Sequence, residues 1–202
     1  MDSFRASLVW TALLASMCIP VVVAAFSPLL QWRQPVYIIA GFAGIVGLAF
    51  LLIQPLFAAG LIPGIKRRHS RRFHKWLGLI LVGSVVVHVV GLWITSPPDV
   101  IDVLLFRSPT PFSAWGAISM WCIFATAALG LWRRRLPLSP RTWQQVHVLL
   151  STMVVAGTVV HAVLIDGAMG TVSKAVLCGF VILASVLAII RLRVIKPEGN
   201  FP

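Results

Sequence analysis

Residues 73–95 read FHKWLGLILVGSVVVHVVGLWIT, and the reading of this stretch decides the fold. It is long enough, as a helix, to cross a bilayer core about 30 Å thick. Two histidines interrupt it, His74 and His88, fourteen positions apart. Over that separation an α-helix rises about 21 Å and ends within about 40° of a whole number of turns. Both imidazoles therefore lie on one face, one toward each side of the lipid. Residues 143–165 repeat the layout, with the same separation between His147 and His161.

The rest of the chain agrees with a membrane setting. Of 202 residues, 59% are hydrophobic and 11% charged. Mean hydropathy is +0.96, a balance that soluble domains rarely approach. Six spans are predicted, at Leu8–Phe26, Val36–Ala58, Phe73–Thr95, Phe112–Trp132, Trp143–Ile165 and Val172–Ile190. Breakers separate them: Ser27-Pro28, Ile62-Pro63-Gly64, Ser96-Pro97-Pro98, Pro137 with Pro140, and Asp166-Gly167. Helices are the expected spanning element, because an open sheet edge in lipid leaves backbone groups unpaired. The expected fold is an all-α membrane protein, a six-helix transmembrane bundle forming one domain over residues 1–202. The first span has a second reading as a cleaved leader, with Arg5 before the apolar run and Val23-Ala24-Ala25 after it. Cys18, Cys122 and Cys178 lie in apolar segments with no C-x-x-C spacing, which argues against covalent haem attachment and zinc fingers.

The formal charge of +12 is located in short loops rather than along a nucleic-acid-binding face. With the amino terminus placed in the cytoplasm, fourteen of the 17 Lys and Arg residues fall on that side. They include Arg5, the Lys66–Lys75 run, Arg133–Arg135, Arg141, Arg191, Arg193 and Lys196; Arg33, Arg107 and Lys174 fall on the other side. This bias predicts a multi-pass protein of a bacterial inner (plasma) membrane with both termini cytoplasmic. The third and fifth spans then run in the same direction. His74 matches His147 in depth near the cytoplasmic face, and His88 matches His161 toward the outer face.

An ionisable residue inside a span marks a functional site by default. Neutral imidazole is a good iron ligand, and helical bundles hold cofactors between facing helices. Two depth-matched pairs predict two b haems (iron) between the third and fifth helices, with His74, His147, His88 and His161 as the metal ligands. Six-coordinate iron suits electron transfer, and two such centres form a relay across the bilayer. Arg71, Arg72, Lys75, Arg141, Gln144 and Gln145 surround the inner pair as candidate propionate contacts. Arg107 and Lys174 are the cations available near the outer pair. Gly78, Gly83, Gly91 and Gly157 either make room for porphyrin or serve ordinary helix packing. His69, in a basic loop, is assigned no role.

The stretches Arg71-Arg72-Phe73-His74-Lys75-Trp76-Leu77-Gly78-Leu79 and Arg141-Thr142-Trp143-Gln144-Gln145-Val146-His147, each with a histidine downstream, resemble the ferric reductase-like transmembrane domain. The resemblance covers about residues 35–193. That family includes ferric-chelate reductases, NADPH oxidase cores and the haem-binding membrane subunit of a bacterial methionine sulfoxide reductase system. It implies a cytochrome b-type oxidoreductase component, with the ligand role on the same four histidines. Many members continue into a flavin- and nicotinamide-binding module. This sequence carries no Gly-rich nucleotide fingerprint, so a separate flavoprotein or a membrane quinol is the expected donor, any flavin being supplied by that partner. The expected acceptor lies on the outer side. Two alternatives stay open: a non-catalytic haem-binding subunit or sensor, and a histidine-based transporter. Whether the chain is by itself an enzyme is also open.

Overall fold

The computed structural model describes residues 3–194; Lys196, one of the cations counted above, lies outside them. The described residues form seven α-helices: α1 (Ser3–Ala25), α2 (Pro35–Ala59), α3 (Arg67–Thr95), α4 (Pro97–Leu104), α5 (Pro111–Leu131), α6 (Pro140–Leu164) and α7 (Thr171–Val194). All but α4 are long and apolar enough to cross a membrane. The chain is a multi-pass integral membrane protein embedded in the lipid bilayer.

Local chemistry sets the helix ends. Proline occupies the first turn of α2, α5 and α6, where its missing N–H costs nothing and its fixed φ suits a helix start. Ser139 caps α6 by accepting from the Thr142 N–H at 3.1 Å. Gly60 closes α2 in the left-handed region, at φ 66°, with its N–H turned back to the Leu56 and Phe57 carbonyls.

Two boundaries differ from the sequence expectation. The basic run preceding Phe73 is helical, so α3 starts at Arg67 and His69 is an exposed helical residue rather than a loop residue. Ser96-Pro97-Pro98 does end α3, but it also starts α4. The prolines fit a first turn, and Ser96 Oγ donates to Asp99 Oδ2 at 2.5 Å.

The bundle is two helical hairpins, α2–α3 and α5–α6, with α7 packed on both α2 and α6. Helix α1 covers α2 and α7, and α3 also meets α5. The core runs through Leu48, Leu52 and Phe57 of α2 to Leu177, Val181 and Ala184 of α7. Leu79, Ile94, Leu149 and Ile190 are exposed on outer faces, as contact with lipid tails allows. Helices α3 and α6 each pack along their own hairpin partner and not along one another. That arrangement leaves the space between them for side chains.

The hairpins repeat one another in detail. Ser70 Oγ of α3 donates to the Phe57 carbonyl of α2 at 2.7 Å. Trp143 Nε1 of α6 donates to the Leu129 carbonyl of α5 at 3.0 Å. Adding 72 to Phe57 gives Leu129, and adding 73 to Ser70 gives Trp143, so one register relates both pairs. The same register equates the close contact of Gly47 with Ser84 to that of Ser119 with Gly157, glycine and serine having changed places.

Candidate functional site

The four intramembrane histidines come from α3 and α6 and gather into two sites. Near the basic ends of these helices, the His74 and His147 rings lie 6.2 Å apart, centroid to centroid, at 70°. At the opposite end, His88 and His161 line one cavity of about 960 Å³ together with Gly44, Gly116 and Lys174. The depth matching read from the spacing is thus the pairing found in space. Among the described residues no three His, Cys, Asp or Glu side chains cluster. The unit of the site is therefore a pair of imidazoles.

Three of the imidazoles are held from behind in the same way. His88 Nδ1 donates to the Ala40 carbonyl at 2.7 Å, His161 Nδ1 to the Phe112 carbonyl at 2.8 Å, and His74 Nδ1 to the Gln54 carbonyl at 3.1 Å. An Nδ1–H bonded to a carbonyl fixes the tautomer and leaves the Nε2 lone pair for another partner. The carbonyls are not scattered. Ala40 and Gln54 are separated along α2 by the same number of positions as His74 and His88 along the antiparallel α3. Helix α2 is thus a matched backing helix for α3, and α5 backs His161 in the equivalent place.

Glycine makes this backing possible at the end away from the basic run. A Cβ on Gly44 would lie 3.0 Å from His88 Nδ1, and one on Gly116 would lie 2.7 Å from His161 Nδ1. Each glycine follows its carbonyl residue by one helical turn, so the imidazole rests where a side chain would start. Gln54 adds a second hold at the basic end. Its buried side-chain amide bridges Gly78 and His74, one end 2.7 Å from the Gly78 N–H and the other 2.6 Å from His74 Nδ1 and 3.1 Å from the His74 carbonyl.

His147 differs. Its Nδ1 is buried and makes no hydrogen bond among the described residues. Instead its ring is stacked on Trp143, with centroids 4.9 Å apart and planes 15° apart.

The ferric reductase-like transmembrane component family matches residues 11–158. The chain belongs to that family. The general function that membership points to is electron transfer across a membrane. The matched segment starts earlier than the resemblance read from the sequence and stops short of His161; His74, His88 and His147 fall within it. No curated protein and no solved structure matches the chain.

Other residues expected at a ferric reductase-like site fall in several places. Arg71, Arg72, Arg141 and Gln144 are exposed at the basic end and make no side-chain hydrogen bond among the described residues. Lys174 lines the cavity with His88 and His161, whereas Arg107 does not. Of the glycines, Gly78 meets Gln54, Gly91 meets Ala40 and Gly157 meets Trp115 and Ser119. These three serve helix packing, and Gly83 has nothing within 4 Å. The glycines beside the imidazoles, Gly44 and Gly116, went unread because they lie on other helices than the histidines. Gln54 carried a usable signal, as a polar amide within an apolar span.

Proposed function

We propose that this protein is a di-haem b electron conduit, with one haem held by His74 and His147 and the other by His88 and His161. The basic end faces the cytoplasm, as the loop charges favour, and the electrons leave from the His88/His161 end toward an outer acceptor. The donor is a cytoplasmic flavoprotein or a membrane quinol.

The observation that carries this reading is the depth-matched pairing of four imidazoles, three of them backed by carbonyls of α2 and α5. The residues fit the group. Neutral imidazole is a good iron ligand, and His74 with His147 would hold one haem from facing helices. Their ring centroids stand 6.2 Å apart. The other pair shares a cavity of about 960 Å³, with Gly44 and Gly116 keeping the imidazoles back against α2 and α5. When bound, each haem supplies a one-electron iron couple. The chain's part is to fix four imidazoles, exclude water with an apolar bundle, and set the two pairs about 21 Å apart along α3. The buried cation Lys174 and the exposed Arg71, Arg72, Arg141 and Gln144 are available to propionates at the two ends.

The test is a reduced-minus-oxidised spectrum with haem counted per chain, on the wild type and on His74→Ala, His88→Ala, His147→Ala and His161→Ala. Two haems are expected, with His74→Ala and His147→Ala altering one and the other two variants altering the other. A purified chain with no reducible Soret band sinks the reading.

A further inference from the structure

The one imidazole that breaks the pattern has its own support. His74, His88 and His161 each give their Nδ1–H to a carbonyl of a neighbouring helix. By the register of the two hairpins, the carbonyl equivalent to that of Gln54 belongs to Thr126. His147 does not bond it, and its Nδ1 is buried without a partner among the described residues. The residue one helical turn before the histidine has also changed. In α3 it is Ser70, fully enclosed, and in α6 it is Trp143. Both donate to equivalent carbonyls, Phe57 and Leu129. The serine hydroxyl ends there. The indole is large enough to cover the imidazole one turn on, since side chains one turn apart on a helix are neighbours.

Trp143 is itself fixed. Its Nε1–H is held by the Leu129 carbonyl at 3.0 Å, and the Arg133 guanidinium lies 4.5 Å above its ring. Arg133, Trp143 and His147 therefore form a column running inward from the exposed end of α5.

We propose that Trp143 is the positioning residue of His147, setting by stacking the ring plane that a carbonyl sets for the other three. The basic-end pair then joins one hydrogen-bonded imidazole and one that is only stacked. Hydrogen bonding at Nδ1 raises the basicity of a metal-bound imidazole. His147 is consequently the weakest donor of the four and the one that depends on a single side chain for its aim.

The haem consequences rest on the proposed function; the stack does not, and the test separates them. In histidine-labelled protein, the His147 ring resonances, assigned by their loss in His147→Ala, are expected to lie upfield from ring current. Trp143→Leu moves them back and Trp143→Phe largely keeps them. In the reduced protein, Trp143→Leu exposes one haem to carbon monoxide by loosening His147, while the wild type and Trp143→Phe give no carbon monoxide difference spectrum. Should Trp143→Leu fail to accumulate, Arg133→Gln and Trp143→Phe carry the test: Arg133→Gln is predicted to shift the His147 resonances partway, and Trp143→Phe to leave them close to the wild type. Resonances that stay in place on loss of the indole overturn the proposal. Resonances that move in a chain without haem uphold the stack and overturn the redox reading instead.

Discussion

Gly116 lies so close to His161 that a methyl group in place of its hydrogen would come within 2.7 Å of the imidazole Nδ1. The ring cannot retreat freely, because that same nitrogen is bonded to the Phe112 carbonyl one turn earlier. Gly116→Ala is therefore expected to push His161 off its carbonyl. The cost of such overpacking is about 1–3 kcal/mol. Gly44→Ala, with 3.0 Å to His88 Nδ1, is expected to do the same more mildly. Gly130 lies further along the same helix, near the end of α5, but has nothing within 4 Å, so Gly130→Ala is the control and is expected to be silent. Haem per chain and thermal stability in detergent check the series. Equal effects at Gly116 and Gly130 would count against the account.

Gly91 makes a different demand. Its missing Cβ would meet Ala40 Cβ at 2.7 Å, so α2 and α3 touch through these two residues. Gly91→Ala is expected to spread the hairpin and to lower stability by about 1–3 kcal/mol. Ala40 also supplies the carbonyl behind His88, so the spread is expected to reach the site. A thermal melt checks the first effect, and the spectrum of the haem proposed at His88 and His161 checks the second. Gly83→Ala, facing open space, is expected to leave both unchanged.

The sequence made the histidines legible because their meaning lies within single helices. The repeated spacing gives face and depth, and the direction of two spans gives the pairing. What it did not make legible lies between helices. Ala40, Gln54 and Phe112 act through backbone carbonyls, which any residue possesses. Gly44 and Gly116 look like ordinary membrane glycines until an imidazole is placed against them. Of the glycines that the sequence set beside the histidines, Gly78, Gly91 and Gly157 proved to face α2 and α5, because those helices pack against the same faces of α3 and α6 that carry the imidazoles. The short helix α4 was hidden by Pro97 and Pro98, which read equally as the end of one helix and the start of another. In the sequence Trp143 stood at the start of a span, within the Arg141–His147 stretch, and only the stack with His147 gave it a role of its own.

Lys174 is buried, and its ammonium group donates to the Val163 and Ile165 carbonyls at the end of α6. These carbonyls have no helical partner, and a cation at a helix carboxyl end is favourable on electrostatic grounds as well. Hydrogen bonds to a charged group contribute about 1.5–3 kcal/mol, so Lys174→Met is expected to destabilise this corner by about that amount. The loss is local: faster amide hydrogen exchange is expected in the last turn of α6 and the loop after it, with α2 and α3 unaffected. Because Lys174 also lines the His88/His161 cavity, the variant is expected, on the proposed di-haem reading, to weaken haem retention at that end alone. Uniform loss of haem from both ends would indicate general unfolding instead.

The orientation proposed from the loop charges can be separated from the pairing of the histidines. After replacement of Cys18, Cys122 and Cys178, single cysteines at Arg135 and Asp166 report on opposite ends of the bundle. In sealed right-side-out vesicles a membrane-impermeant maleimide is expected to label Asp166→Cys and to leave Arg135→Cys untouched until the membrane is opened. The reverse pattern would put the basic loops outside and overturn the direction of electron flow. It would leave the pairing intact, because α3 and α6 both run away from the basic end whichever way the bundle faces. The partnership of His74 with His147 depends on that parallel course and on the 6.2 Å between their rings, not on which compartment lies nearer.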